Sequence, residues 1–196
     1  MKKVLTGIGL SIVMLATTVA PVLADKPDEP GDNRPVAWVK WNVNTASNEL
    51  APVDQMASGL VILLDDRTTV GNWVYHNLDN GTGGYIISFI DAETTFYEAG
   101  GGKVADFKAW VYVEKDSVTG KPQTARWWFQ MVDNGEPSRG VDAQQIWIWL
   151  PDLGIPMPIW WPMYGPKNPA DPSFGLPVPV NGGGNFQVHI TDGYDD

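Results

Sequence analysis

The sequence contains no cysteine and only two histidines, His76 and His189. The absence of cysteine excludes disulfides and cysteine–zinc sites, so an exported chain of this sequence must be stabilised by packing alone. Two histidines cannot complete a transition-metal site without carboxylate ligands. These absences exclude the disulfide-rich and cysteine–zinc classes of small extracellular domain.

Basic residues are also scarce. The chain has 13 Lys and Arg against 23 Asp and Glu, which gives a formal net charge of −10. An acidic surface repels the phosphates of nucleic acids and of anionic lipids. Nucleic acid is therefore not expected as a partner, whereas solubility outside the cell and attraction of cations both fit the charge.

The sequence lacks the motifs of the common enzyme classes. It has no nucleophile elbow, phosphate loop or dinucleotide fingerprint, since Gly100–Gly102 and Gly182–Gly184 have no flanking strand–helix context. After residue 24 no stretch shows helical periodicity, and no apolar run is long enough to form a membrane-spanning helix. These absences leave an all-β domain without an indicated reaction.

The first residues have the pattern of an export signal. Lys2 and Lys3 precede the apolar run Val4–Val19, and Val22–Ala24 has the small-residue pattern that signal peptidases cleave. A retained membrane helix is the alternative, but the run is followed by acidic residues and not by a basic flank. We predict a signal peptide over residues 1–24 and a secreted, periplasmic or extracellular protein.

The remaining chain is predicted to form one domain. Its first ten residues are charged and proline-rich, which is typical of a disordered leader, and the last six form an acidic tail. Short strands separated by Gly, Pro and Asn turns predict an antiparallel β-sandwich or barrel. The predicted segments are a leader at 25–34, the β-domain at 35–190 with an ordered loop at 151–179, and a tail at 191–196.

The predicted strands are recognised by alternation. In Val104–Glu114 the small and apolar side chains share one face and the polar and aromatic ones share the other. The Asn80-Gly81 pair predicts a hairpin between the two strands that flank it. The predicted strands are Val36–Val43, Gly59–Leu64, Val70–Leu78, Gly84–Ile90, Val104–Glu114, Thr124–Val132, Ile146–Leu150 and Gly182–Ile190.

Proline is concentrated in one segment, since nine of the 16 prolines lie between Pro151 and Pro179. Proline lacks the backbone donor that sheets and helices need, so no regular structure is expected there. The same segment carries Ile159–Tyr164 and Phe174, which a disordered linker would lack. We therefore predict an ordered loop that lies over the domain.

The ten tryptophans are the strongest indication of a function. Trp127-Trp128 and Trp160-Trp161 are adjacent pairs, and adjacent residues of a strand point to opposite faces. Outward-facing rings on a rigid sheet can stack on sugars or bind a protein partner. The predicted binding residues are Trp128, Trp160, Trp161 and Tyr164. The alternative is that the proline-rich loop buries these rings as a second small core.

An acidic loop offers a candidate metal site. Four oxygen-bearing side chains within ten residues, Asp133, Asn134, Glu136 and Asp142, suit calcium, which takes oxygen ligands. The alternative is structural: Asp133 and Asn134 cap turn amides while Gly135 adopts a positive φ. Calcium is the one cofactor that the sequence suggests.

Two short motifs carry a resemblance to a known family. The loop D-N-G-E-P (Asp133–Pro137) is followed by Asp142, and the chain closes on G-G-G-N-F-Q-V-H (Gly182–His189). Over about residues 59–190 the chain resembles the post-COAP β-domains of bacterial and archaeal exported proteins, with Ala105-Asp106-Phe107 as their A-x-F strand. The resemblance implies a secreted β-domain and no established catalytic residue or cofactor. The segment 151–179 replaces a short glycine-rich connection of that family.

Two functions follow as hypotheses. The first is an exported, non-catalytic binding or structural module whose partner is a glycan, the cell envelope or an extracellular protein. The second is a secreted hydrolase or lyase with a pocket beneath 151–179, in which His76, Glu98 or Asp142 acts as acid or base. A pair of acid–base groups in one pocket would favour the second, and an aromatic strip on the surface would favour the first.

Overall fold

The fold was analysed in a computed structural model, which describes a large part of the β-domain. The predicted signal peptide, nearly all of the leader and most of the tail lie outside the described residues. In the described part of the chain, no helical segment has the length and apolarity that a membrane crossing needs. The described residues are 33–45, 55–78, 81–115, 120–135, 142–150, 159–166, 168–180 and 184–191.

These residues form strands joined by turns, and the single helical element among them is a 3-10 turn at Asp91–Glu93. The strands are β1 (Pro35–Thr45), β2 (Gln55–Leu64), β3 (Thr69–Asn77), β4 (Gly83–Phe89), β5 (Thr95–Ala99), β6 (Gly102–Val113), β7 (Gln123–Asp133), β8 (Ala143–Leu150), β9 (Ile159–Pro162), β10 (Val178–Pro179) and β11 (Gly184–Ile190).

All strands belong to one antiparallel sheet that curls into a half-barrel. The order across the sheet is β10-β8-β7-β6-β4-β3-β2-β1-β11, with β5 paired to the first half of β6 and β9 paired to the second half of β8. The predicted all-β antiparallel class is confirmed. The predicted hairpin is confirmed as well, since Tyr75 pairs with Gly84 across the β3–β4 turn.

The core lies on the concave face of the sheet. On β6 and β7 the buried residues alternate with half-buried and exposed ones, as the sequence predicts, and Phe107 and Phe129 stack with ring centroids 4.9 Å apart. Trp41 lies over Gly59 on the neighbouring strand, where a Cβ would come within 2.6 Å of the indole ring. The glycine therefore makes room for a buried tryptophan.

The prediction that prolines exclude sheet from the segment 151–179 is wrong in part. Strand β9 pairs with the end of β8, and the short β10 pairs with its beginning. Both strands lie at the edge of the sheet, where a proline can be accommodated without breaking a ladder on both sides. Strand β5 was also missed, because its five residues are too few to show a clear alternation.

Candidate binding face

The convex face of strands β7, β8 and β9 gathers four tryptophans. Trp128 pairs with Trp147 across β7 and β8, and Trp149 pairs with Trp160 across β8 and β9. We call Trp128, Trp147, Trp149 and Trp160 the tryptophan face. Because side chains alternate along a strand, Trp127 is buried in the core and Trp128 points outward. One tryptophan of each adjacent pair therefore lies on the convex side.

The four rings are in contact. Trp128 and Trp147 stack at 4.1 Å between centroids, with an interplanar angle of 20°. Trp160 meets Trp128 edge to face at 6.1 Å and lies 5.1 Å from Trp149. Such offset and edge arrangements are the ones that ring quadrupoles favour. The contacts hold the rings in fixed orientations, which lowers the entropy cost of binding a ligand to them.

Trp147 forms the floor of the face. It is buried, with 8% of its surface exposed, while Trp128, Trp149 and Trp160 are half-buried. Gly175 lies against it with a φ of +76°, and a Cβ at that position would be 3.3 Å from the indole Nε1. The loop that carries Gly175 therefore covers Trp147 closely and leaves the other three rings at the surface.

Two cations lie over these rings. Lys108 Nζ is 5.4 Å from the centroid of Trp128 and 5.7 Å from that of Trp160. Arg126 Cζ is 5.9 Å from the centroid of Trp149 and 5.7 Å from that of Trp160. All four distances fall within the range of cation–π attraction. Lys108 and Arg126 thus bracket Trp160 from β6 and β7.

One carboxylate pairs with both cations. Glu93 of the 3-10 turn lies 2.5 Å from Lys108 Nζ and 3.4 Å from an amino group of Arg126. All three side chains remain partly exposed to water, so these pairs contribute little to stability. Their effect is to fix the positions of the charges beside the rings.

A second carboxylate forms the polar border of the face. Asp106 accepts a hydrogen bond from Trp128 Nε1 at 2.5 Å and one from Gln130 Nε2 at 3.2 Å. Burial raises the pKa of Asp106 above its usual value, and these two hydrogen bonds and the charge of Lys108 oppose the rise. Burial and the charge of Asp106 also raise the pKa of Tyr97, whose hydroxyl accepts from Gln130 at 3.3 Å.

The structure brings two of the four predicted binding residues together. Trp128 and Trp160 meet on the tryptophan face, whereas Trp161 pairs with Ile148 on the other side of the sheet and packs edge to face on Phe174. Tyr164 is 2% exposed and belongs to the core. Trp161 and Tyr164 therefore hold the proline-rich loop in place and do not extend the face.

The Gln145 side chain fixes the same loop. Its Nε2 donates to the carbonyls of Tyr164 and Leu176, and its Oε1 accepts from the amide of Tyr164. The side-chain amide is fully buried, and both its nitrogen and its oxygen are hydrogen-bonded, as backbone groups are within a sheet. The loop that covers Trp147 is therefore anchored by a specific polar network.

The two aspartates that flank the acidic loop bind backbone amides on both sides of the half-barrel opening. Asp133 accepts from the amides of Gly135 and Val188, both at 2.9 Å, through different oxygens. Asp142, which is fully buried, accepts from Asn134 at 3.2 Å and from Phe186 at 2.8 Å. We call Asp133 and Asp142 the acidic clasp, because they connect β7 and the start of β8 to the free edge of β11.

The clasp bears on the calcium prediction. Each of its four carboxylate oxygens accepts a backbone amide, which is the structural alternative considered for this loop. Within the described residues no three His, Asp or Glu side chains lie close enough to hold a metal ion. Glu136 lies outside those residues, so calcium binding by Asp133, Asn134, Glu136 and Asp142 stays a prediction.

The three candidate acid–base residues of the enzyme hypothesis lie apart. Glu98 pairs with Lys103 near the start of β6. His76 pairs with Gly83, and the following residue, Gly84, pairs with Val113 at the end of β6. Ten residues of extended strand separate these ends by about 33 Å. Asp142 is fully buried in the clasp. These residues do not form a joint acid–base pair.

Comparison with known proteins adds no further constraint, since no family model, curated protein or solved structure matches this chain. The resemblance to post-COAP domains therefore stays a prediction.

The sequence did not reveal how the face is assembled. Trp149, Lys108 and Arg126 join it because the registers of β6, β7 and β8 bring them side by side. The alternation in Val104–Glu114 and Thr124–Val132 assigns each residue to a face, but not to its neighbour across strands. Glu93 lies in the 3-10 turn Asp91–Glu93, which no sequence pattern predicted.

Proposed function

We propose that this protein is an exported, non-catalytic module that binds glycan through the tryptophan face. The observation that carries the proposal is the group of Trp128, Trp149 and Trp160, held in fixed orientations and bordered by hydrogen-bonding side chains. Sugar rings offer apolar C–H faces and a rim of hydroxyls. An aromatic surface with polar groups at its border suits both parts of such a ligand.

The polar border supports a glycan over an apolar partner. Arg126, Gln130 and Asp106 place donors and acceptors within a few ångströms of the rings. A purely apolar partner would remove these groups from water without replacing their hydrogen bonds, at a cost of about 1–3 kcal/mol for each. Sugar hydroxyls can replace them, which favours a polyhydroxylated ligand.

Export is the second part of the proposal, and the N-terminal sequence supports it. Cleavage after Ala24 would release a chain that begins at Asp25. N-terminal sequencing of the protein recovered from the periplasm or the medium of its host tests this directly. A protein found in the cytoplasm with residues 1–24 still attached would contradict it.

The adjacent residues Trp160 and Trp161 provide a matched test of the face. Both are half-buried, but they lie on opposite sides of β9. We expect Trp160→Ala to abolish the retention of the protein in native gels that contain soluble neutral polysaccharides, and Trp161→Ala to leave retention unchanged. Each variant should lose about 1–2 kcal/mol of stability, since the ring that is removed is only partly buried.

The panel contains a β-1,4-glucan, a β-1,3-glucan, a xylan and a mannan, with a gel that lacks polysaccharide as the reference. Equal loss of retention in the two variants, with both folded by circular dichroism, would contradict the assignment of the face. Migration of the wild-type protein that is the same in all gels would contradict glycan binding.

A further inference from the structure

Exposed aromatic side chains continue the tryptophan face across the sheet. Trp110 on β6 pairs with Arg126 on β7 and is 42% exposed. Tyr112 lies on the same face of β6, and its ring is 5.2 Å from that of Tyr85 on β4, which is 47% exposed. Large rings left this open to water on one face of a sheet indicate an interaction surface.

The strand order sets the spacing of these rings. Trp160, Trp149, Arg126 and Trp110 lie side by side on β9, β8, β7 and β6, since each contacts or pairs with the next. Neighbouring strands are about 4.8 Å apart, so the row from Trp160 to Trp110 extends over about 14 Å. This length exceeds one sugar ring and fits several successive rings of a chain.

We propose that this row is an extended platform for a linear, uncharged polysaccharide that runs across the strands. The inference rests on the proposed glycan binding and adds the class of the ligand and the direction of its path. Trp160 and Trp149 stack on one part of the polysaccharide, and Trp110 with the Tyr112–Tyr85 pair stacks on the following part. Arg126, which lies between Trp149 and Trp110, donates hydrogen bonds to the hydroxyls that join these two parts.

The charges along the row argue for an uncharged chain. Glu93 pairs with both Lys108 and Arg126, and the carboxylate of Asp106 interacts with the charge of Lys108, so two carboxylates balance the two cations of this cluster. The protein as a whole carries a formal charge of −10, which repels an anionic polymer at long range. A neutral polysaccharide meets neither obstacle.

The platform makes affinity depend on chain length. A short oligosaccharide occupies only part of the row, whereas a longer one contacts rings at both ends and gains an additional stacking interaction. One such interaction is worth about 1 kcal/mol, or about five- to tenfold in affinity. Affinity should therefore rise with length until the row is filled and then level off.

The test uses oligosaccharides of two, four and six residues from whichever neutral polysaccharide retains the protein in native gels, with polygalacturonate as the anionic comparison. Calorimetry should show affinity for the hexasaccharide about tenfold or more above that for the disaccharide. Trp110→Ala and Tyr85→Ala should each reduce hexasaccharide affinity about fivefold and leave disaccharide affinity unchanged. Val70→Ala, an equally exposed change on β3, is the control and should alter neither.

The outcomes separate the platform from the proposed function. Equal affinities for all lengths, with no effect of Trp110→Ala, would overturn the platform and leave glycan binding by the tryptophan face intact. Retention by polygalacturonate alone would overturn the uncharged ligand. Retention by no polysaccharide would overturn the proposed function and this inference with it.

Discussion

The acidic clasp and the tryptophan face use the same kind of side chain in different ways. In the clasp, the carboxylates of Asp133 and Asp142 accept hydrogen bonds from backbone amides. At the face, Asp106 and Glu93 interact with the side chains of Trp128, Gln130, Lys108 and Arg126. The carboxylates that accept backbone amides connect parts of the sheet, whereas those that bind surface side chains fix the positions of these side chains at the tryptophan face.

The two regions also differ in exposure. Asp142 is fully buried, and removing it would take the acceptor away from the amide of Phe186 at the β11 edge. Glu93, Lys108 and Arg126 keep 24–34% of their side-chain surface exposed. The clasp should therefore contribute to stability and the face mainly to binding.

The largest effect is expected from Asp142→Ala. The change removes a fully buried acceptor from the amides of Asn134 and Phe186, which should cost about 2–5 kcal/mol of unfolding free energy, since each buried group that loses its partner costs about 1–3 kcal/mol. Urea denaturation measures it. Asp171→Ala is the control, because that carboxylate accepts hydrogen bonds from Ser173 in an exposed turn. A loss below about 1 kcal/mol for Asp142→Ala would show that the clasp does not close the fold.

A smaller effect is expected from Trp128→Phe. The substitution keeps an aromatic ring on Trp147 but removes the indole donor to Asp106, which should cost about 1–2 kcal/mol. It should also raise the pKa of Asp106 further, because that hydrogen bond favours the ionised form. Carbon-detected NMR titration of the carboxyl groups follows this pKa, and an unchanged value would contradict the role of Trp128.

A pH-dependent effect is expected at Asp106. Burial raises its pKa above 3.8, so the folded protein holds a proton there at pH values where the unfolded chain does not. The contribution of Asp106 to stability therefore falls as the pH rises from about 3.8 through the raised pKa. Asp106→Asn cannot titrate, so its stability relative to the wild type should increase over this interval and then stay constant. A difference that does not vary with pH, measured by urea denaturation, would contradict the assignment.

The smallest effect is expected from calcium. Because all four oxygens of the clasp accept amides, we expect melting curves with a chelator and with millimolar calcium to coincide. A melting temperature that falls with the chelator and returns with calcium would establish the metal site predicted from the sequence, by mass action.

The sequence predicted most of the strands and, on some of them, which side chains point away from the core. The alternation in Val104–Glu114 placed Phe107 inside and Lys108 outside, because small and apolar side chains alternate there with charged ones. The adjacency of Trp160 and Trp161 also led to the expectation that one ring faces outward and the other anchors the loop. Which one does so depends on the register between β8 and β9, and that register follows from long-range packing and not from local pattern.

The same limit explains the remaining differences. Tyr164 is a residue type that often binds partners at surfaces, and the sequence predicted it as a binding residue. In the structure its backbone amide donates to the buried side chain of Gln145, nineteen residues away, and Tyr164 lies in the core. Trp149 and Arg126 lie on separate predicted strands, and only the pairing of β7 with β8 makes them neighbours. Local periodicity assigns faces, whereas a binding site needs neighbours across strands.

The indole N–H signals of the ten tryptophans test the central claim most directly, because the rings report on both sides of the sheet. Nitrogen-15 NMR spectra would be recorded during titration with a neutral oligosaccharide that binds, with the signals assigned by single Trp→Phe variants. We predict that the signals of Trp128, Trp149, Trp160 and Trp110 shift while those of the buried Trp41, Trp73 and Trp127 do not. Shifts confined to Trp161 or to the tryptophans of the concave core would contradict binding at the tryptophan face.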